Sequence, residues 1–231
     1  MKIAGLQKMS MVDYPGFIAA TVFTQGCNFK CGFCYNRDLI ATDKDPGFSQ
    51  EEIFKYLNKR RNMIEGVCVT GGEPTLWPDL ADFACRVKDI GLKFKLDTNG
   101  SDPDIISEML KEGLLDFIAM DIKTSFSKYH LLKTPKNVEA SLMKSIQTII
   151  SSQIPYEFRT TCVPELVTEE DIYSIGDVIK TAQRHCLQQF RPNETTIEEK
   201  YSKLKPYDKK KLSEFKSILE KFVKKVIIRG I

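Results

Sequence analysis

An α/β fold with one parallel sheet, curled into an open or partial barrel within a single domain, is what the sequence predicts, and three observations predict it. Short runs rich in β-branched and aromatic residues recur along the chain, and stretches with helical patterning separate most of them. Strand alternating with helix implies parallel pairing through right-handed crossovers. About six such repeats suit an arc better than a flat sheet, and a chain of 231 residues fits one unit of this kind.

The predicted strands, in order, are FIAATVF (17–23), GVCVT (66–70), KFKLD (93–97), FIAMD (117–121), YEFRTTCV (156–163), CLQQF (186–190) and KVIIR (225–229). Between the first two, Ser49 followed three residues on by Glu52 forms a capping-box signature ahead of IFKYLNKR. Helical patterning then covers 79–90, 102–111, 138–151 and 168–184, with a last helix over 208–222 before the final strand. No low-complexity tract or long linker interrupts the pattern, so 1–231 reads as one domain. It carries a cysteine-bearing loop over 24–36 and ends in a helix and strand over 206–231.

The composition, 42% hydrophobic and 28% charged, fits a soluble protein with a sizeable core. A net charge of +3 is too small to point to nucleic acid. No apolar run approaches the roughly 18 residues of a membrane span, and the N-terminus lacks the apolar segment and cleavage site of a signal peptide. The expectation is a cytoplasmic protein. The lysine-rich region over 200–225 reads first as the solvated face of the last helix, and less readily as a patch for an acidic partner. Seven cysteines, an odd number, argue against a disulfide framework. Four are scattered (Cys68, Cys85, Cys162 and Cys186) and read as ordinary buried thiols.

The other three sit within CNFKCGFC, as Cys27, Cys31 and Cys34. Thiolates suit zinc and iron–sulfur clusters, and a complete site of either kind usually takes four protein ligands. The only histidines, His130 and His185, do not form a zinc-type pair. Three thiolates on an iron–sulfur cluster leave one iron open, and an open position is what makes a metal site catalytic. Further polar motifs end the next three predicted strands: GGEP, DTNG and the Asp-Ile-Lys of MDIK. In parallel α/β folds, ligands bind at the carboxyl ends of strands. Gly71 and Gly72 permit close backbone approach and Glu73 can accept from an ammonium, although GGEP equally suits a plain strand-to-helix turn. Asp97, Thr98 and Asn99 offer oxygens to a ribose or a cation, or to a turn and helix cap. Asp121 and Lys123 share a face, as a site pair or a salt bridge. Arg159 can fork onto a ligand carboxylate or pair with a core acid.

CNFKCGFC matches the C-x3-C-x2-C signature of the radical S-adenosylmethionine enzymes. With KMSMVDYPG and FTQGCNFKCGFCYN, GGEP, DTNG and MDIK, the sequence from Met1 to about Pro164 resembles the glycyl-radical-enzyme activases. The nearest subgroup is the longer form of the activating protein of anaerobic ribonucleoside-triphosphate reductase. The resemblance implies a partial (β/α)6 barrel, a 4Fe–4S cluster on Cys27, Cys31 and Cys34, and S-adenosyl-L-methionine on the fourth iron. It places Phe33 and Tyr35 near the adenine, and Gly71, Gly72 and Glu73 near the methionyl ammonium. Asp97, Thr98 and Asp121 would supply polar contacts or bind a monovalent cation, Asn99 would lie in the same cofactor site, and Lys123 and Arg159 would meet the carboxylate or ribose. The implied activity is a radical oxidoreductase that makes a glycyl radical on a partner enzyme, with electrons from flavodoxin or ferredoxin. A small-molecule radical enzyme such as a 7-carboxy-7-deazaguanine synthase, and a non-catalytic metal module, are the alternatives. In related activases a glycine commonly follows the proline that is Pro164 here; this chain has Glu165.

Overall fold

Among the described residues, eight strands form one sheet whose spatial order follows the chain. In the computed structural model, which describes residues 1–41 and 45–231, the hairpin β1 (Ile3–Ser10) and β2 (Ala19–Thr24) comes first. The crossovers follow as α1 (Gln50–Arg60), β3 (Gly66–Gly71), α2 (Leu80–Asp89), β4 (Lys93–Thr98), α3 (Pro103–Lys111), β5 (Phe117–Asp121) and α4 (Val138–Ser151). Then come β6 (Tyr156–Cys162), α5 (Glu169–Val178), β7 (His185–Gln189), the single turn α6 (Glu199–Ser202), α7 (Lys209–Leu219) and β8 (Val226–Arg229). β1 is antiparallel to β2, and every pairing from β2 to β8 is parallel. A sheet wound in one direction curls into an arc, and among the described residues β8 pairs only with β7. The result is six strand–helix units and a closing strand, the predicted partial barrel.

Strand alternation decides what each face does. Val67, Val69, Phe94, Leu96, Ile118, Met120 and Phe158 belong to the main core with Ile53, Leu57, Phe83, Val87, Leu142 and Ile146 from the helices. The intervening residues carry the inner face. Tyr14, Ala19, Phe117 and Ala119 form a separate small core inside the arc. The polar residues Asp97, Asp121, Arg159 and Thr161 instead line a cavity toward the strand ends. Among the described residues, no helix is long and apolar enough to cross a membrane.

The capping box forms as predicted, with the Ser49 hydroxyl accepting from Glu52 N–H and the Glu52 carboxylate accepting from Ser49 N–H at 2.8 Å. Three expectations are corrected. β1 was not expected, because IAGLQKMS has little β-branched content and owes its strand to pairing with β2. The helix expected over 168–184 ends at Val178, where Thr181 turns left-handed (φ 74°) and donates to the Phe222 carbonyl at 2.9 Å. Of the four scattered cysteines Cys85 is exposed, while the others are buried. Glu165 adopts φ 69°, so the backbone keeps the left-handed turn that glycine takes most readily.

Candidate active site

The cysteine loop leaves β2 and is tied down from three directions before any side chain is considered. Gly26 N–H donates to Leu39 O at 2.6 Å and Cys27 N–H to Ile40 O at 3.2 Å. Lys30 N–H donates to Leu132 O at 3.2 Å, and the Trp77 indole N–H to Gln25 O at 2.8 Å. Glu73 N–H donates to Gly26 O at 2.7 Å. This last bond brings the GGEP turn so close that a Cβ on Gly72 would lie 1.9 Å from Gly26 O. Gly71, at φ 113°, makes the turn itself. The glycines of GGEP thus hold the cysteine loop in place. Gly72→Ala is expected to cost about 3 kcal/mol, the upper range for overpacking. It should also lower the iron retained per chain; thermal unfolding and iron analysis check both.

Cys31 is buried, and Cys27 and Cys34 are half-buried. Burial pushes the Cys27 thiol up to about 11 and the Cys31 thiol up to about 12, so metal uptake must displace their protons. The Cys27 sulfur accepts from Phe29 N–H at 3.4 Å. All three cysteines open onto one cavity of about 580 Å3, together with Phe33, Tyr35, Gly71 and Gly72. Asp97, Thr98, Asn99, Asp121, Lys123 and Arg159 line it too. The structure therefore brings together every predicted site residue but one.

The exception is Glu73. Its side chain is fully buried behind the cavity, and four protein donors occupy it: Thr75 N–H at 3.2 Å, Thr75 Oγ1 at 2.7 Å, Thr98 Oγ1 at 2.7 Å and Asn99 N–H at 2.6 Å. Burial pushes the Glu73 carboxyl up, against these donors. It clamps the end of β3 to the end of β4, and the strand-to-helix-turn reading describes its side chain.

The charged residues form one chain across the sheet. Lys95 pairs with Asp97. Arg159 bridges Asp97 and Asp121, donating from Nη1 at 2.7 Å and from Nε at 2.7 Å, and Lys123 reaches Asp121 at 3.2 Å. Direct register of Asp121 with Arg159 makes the fork possible. Burial opposes ionisation of Asp121, yet Arg159 and then Lys123 hold its carboxyl down to about 2.

Two supports were not legible in the motifs. The turn of 3-10 helix Phe126–Leu132 places Tyr129 edge-on to Phe29, with ring centroids 6.4 Å apart, and its hydroxyl accepts from Lys123 N–H at 3.0 Å. The segment after β7 folds over the cysteines: Ile197 N–H donates to Cys34 O at 3.2 Å, Glu198 N–H to Gly32 O at 2.9 Å, and Thr195 Oγ1 to Tyr35 O at 2.9 Å. A Cβ on Gly32 would lie 2.6 Å from Glu198 and Tyr201, so glycine is needed for that cover to close.

The donor set fits a cluster with a vacant corner. Among the described residues no three His, Cys, Asp or Glu side chains gather as a single-ion site. His185 is buried with both ring nitrogens unpartnered, and it does not line the cavity that the cysteines share.

The comparisons agree with this geometry. The family model described as the radical SAM superfamily matches residues 21–177. A candidate glycyl-radical enzyme activating enzyme of Methanocaldococcus jannaschii is 32% identical over 234 residues, covering 99% of this chain and 96% of its own. The pyruvate formate-lyase-activating enzyme of Clostridium pasteurianum is 28% identical over 211 residues, covering 88% of this chain and 86% of its own. In fold, the chain superposes on the crystal structure of Streptococcus suis SuiB bound to S-adenosylmethionine with a TM-score of 0.67. Identity there is 16%, over 90% of this chain and 49% of SuiB, so the chain spans about half of that protein's length. The chain belongs to the radical SAM superfamily, with a 4Fe–4S cluster and S-adenosylmethionine as its cofactors, in the branch that also holds the glycyl-radical-enzyme activating enzymes.

Proposed function

We propose that this protein installs a glycyl radical on a partner enzyme, and that the partner is anaerobic ribonucleoside-triphosphate reductase. One observation carries the reading: three thiols, with no fourth cysteine among the described residues that line their cavity, open onto it beside the charged residues Asp97, Asp121, Lys123 and Arg159. Full-length similarity to a candidate activating enzyme supports the partner class, and the motifs from Met1 to Pro164 support the reductase.

Cys27, Cys31 and Cys34 would hold the cluster. When bound, the cluster and S-adenosylmethionine would supply the one-electron reductive chemistry that removes a hydrogen atom from the substrate glycine. The chain's own residues bind, orient and exclude water. The backbone of Gly71 and Gly72 receives the methionyl ammonium, a task the occupied Glu73 carboxylate leaves to its neighbours. Lys123 and Arg159 meet the carboxylate or ribose, and Phe33 and Tyr35 flank the adenine. Asp97, Asn99 and Asp121 set the polar floor, with the Thr98 hydroxyl turned away to Glu73. The cavity is also lined by Gln188, Gln189 and Asn193. Such amides can both donate and accept, which suits the backbone of an extended peptide. A low-potential carrier, flavodoxin or ferredoxin, supplies the electron.

The test is anaerobic incubation of reconstituted protein with S-adenosylmethionine, a reductant and the purified reductase. A glycyl doublet in the electron paramagnetic resonance spectrum, with one 5′-deoxyadenosine per radical, is the expected result. A doublet on pyruvate formate-lyase and none on the reductase reassigns the partner. Uncoupled 5′-deoxyadenosine with no radical on either overturns the activase reading.

A further inference from the structure

The family resemblance implies a monovalent cation beside the cofactor, held by Asp97, Thr98 and Asp121. The side chains of this protein do not suit that ion, because each carboxylate oxygen is already paired with a cationic group of the chain. Asp97 accepts from Lys95 through Oδ1 and from Arg159 through Oδ2, the latter at 2.7 Å. Asp121 accepts from Arg159 through Oδ1 at 2.7 Å and from Lys123 through Oδ2 at 3.2 Å. Thr98 Oγ1 donates to Glu73 at 2.7 Å and accepts from Gly100 N–H at 3.0 Å. It also points to the opposite face from Asp97, as neighbouring strand residues do. Two carboxylates meet three side-chain cations within this run of ion pairs, so their charge is balanced without a metal ion, and Asp13 lines the cavity as well.

Lys95 makes the difference. It is almost wholly buried, at 1% exposure, where an ammonium persists only if paired. Its place is fixed by register, since Cys68 lies directly opposite on β3 and Asp97 lies two residues on along the same face of β4. Its Nζ sits 3.5 Å from the Cys68 sulfur and 5.8 Å from the centre of the Phe117 ring. We infer that the Lys95 ammonium replaces the monovalent cation, as a counter-ion built into β4, and that this protein binds S-adenosylmethionine without potassium or sodium. The inference rests on the cofactor assignment and is independent of which partner is activated.

The experiment compares potassium, sodium and tetramethylammonium chlorides at equal ionic strength. Two quantities are read: thermal unfolding of the iron-free chain, and equilibrium binding of S-adenosylmethionine to the anaerobically reconstituted protein. For the wild type, the unfolding midpoint should be the same in all three salts and the dissociation constant constant within about twofold. Lys95→Met should bind about tenfold more weakly in tetramethylammonium and recover in potassium, with a midpoint that rises when potassium is added. Lys95→Arg keeps the charge and should stay indifferent to the salt. A wild type that binds about tenfold more tightly in potassium than in tetramethylammonium overturns the inference, as does a Lys95→Met protein with wild-type affinity in every salt. Should Lys95→Met not fold, the wild-type and Lys95→Arg series decide. Neither readout needs a partner enzyme, so failure to form a glycyl radical leaves the result legible.

Discussion

Cys27→Ala is expected to take the anaerobically reconstituted protein from about four irons per chain to nearly none, and to abolish 5′-deoxyadenosine formation with it. The geometry makes this loss specific. The loop around Cys27 is fixed by backbone bonds to Leu39, Ile40 and Leu132 and by the Trp77 indole, none of which involves the thiol. Removing one half-buried sulfur should therefore shift the stability of the iron-free chain by about 1 kcal/mol or less. Iron analysis, the visible absorption of the cluster and thermal unfolding together separate a lost ligand from a lost fold. Retention of a full complement of iron by the variant would remove Cys27 from the ligand set, and the vacant-corner reading would go with it.

How much of this site can be read from the sequence depends on whether a residue's role is local. The cysteine spacing, the glycines of GGEP and the Asp-Ile-Lys end of β5 are short-range patterns, and the structure gathers all of them on one cavity. Parallel strands were visible because runs buried on the core face are apolar, as at Val67, Val69, Phe94 and Leu96. The misses are tertiary. IAGLQKMS becomes β1 through its partner strand, and the chain after β7 becomes a cover because Gly32 leaves room for Glu198 and Tyr201. Glu73 looks like a ligand group in sequence, but only the folded protein shows four donors already on it. Lys95 was hidden for the opposite reason. A lysine in KFKLD reads as a solvent-facing strand residue until the sheet curls and turns that face inward.

Arg159→Met is expected to cost about 3 kcal/mol of stability at neutral pH, the low end for removing one partner of a buried ion pair. The low end applies because Asp97 keeps Lys95 and Asp121 keeps Lys123. The pH dependence carries the diagnosis. In the folded protein the Asp121 carboxyl is held down to about 2, below the unfolded value of about 4. Its contribution is therefore complete above the unfolded value and is lost as pH falls through that range toward 2. Without the guanidinium the carboxyl is depressed less. The variant should then be destabilised most at neutral pH, and the gap to the wild type should narrow as the medium is acidified. Arg159→Lys restores one charge but cannot donate to two carboxylates in a fixed fork, so it should recover only part of the loss. Urea unfolding of the three proteins between neutral and acid pH measures this directly. A constant gap across that range would mean that the Arg159 side chain acts by filling space and not by charge, and the electrostatic account of the cavity floor would fail.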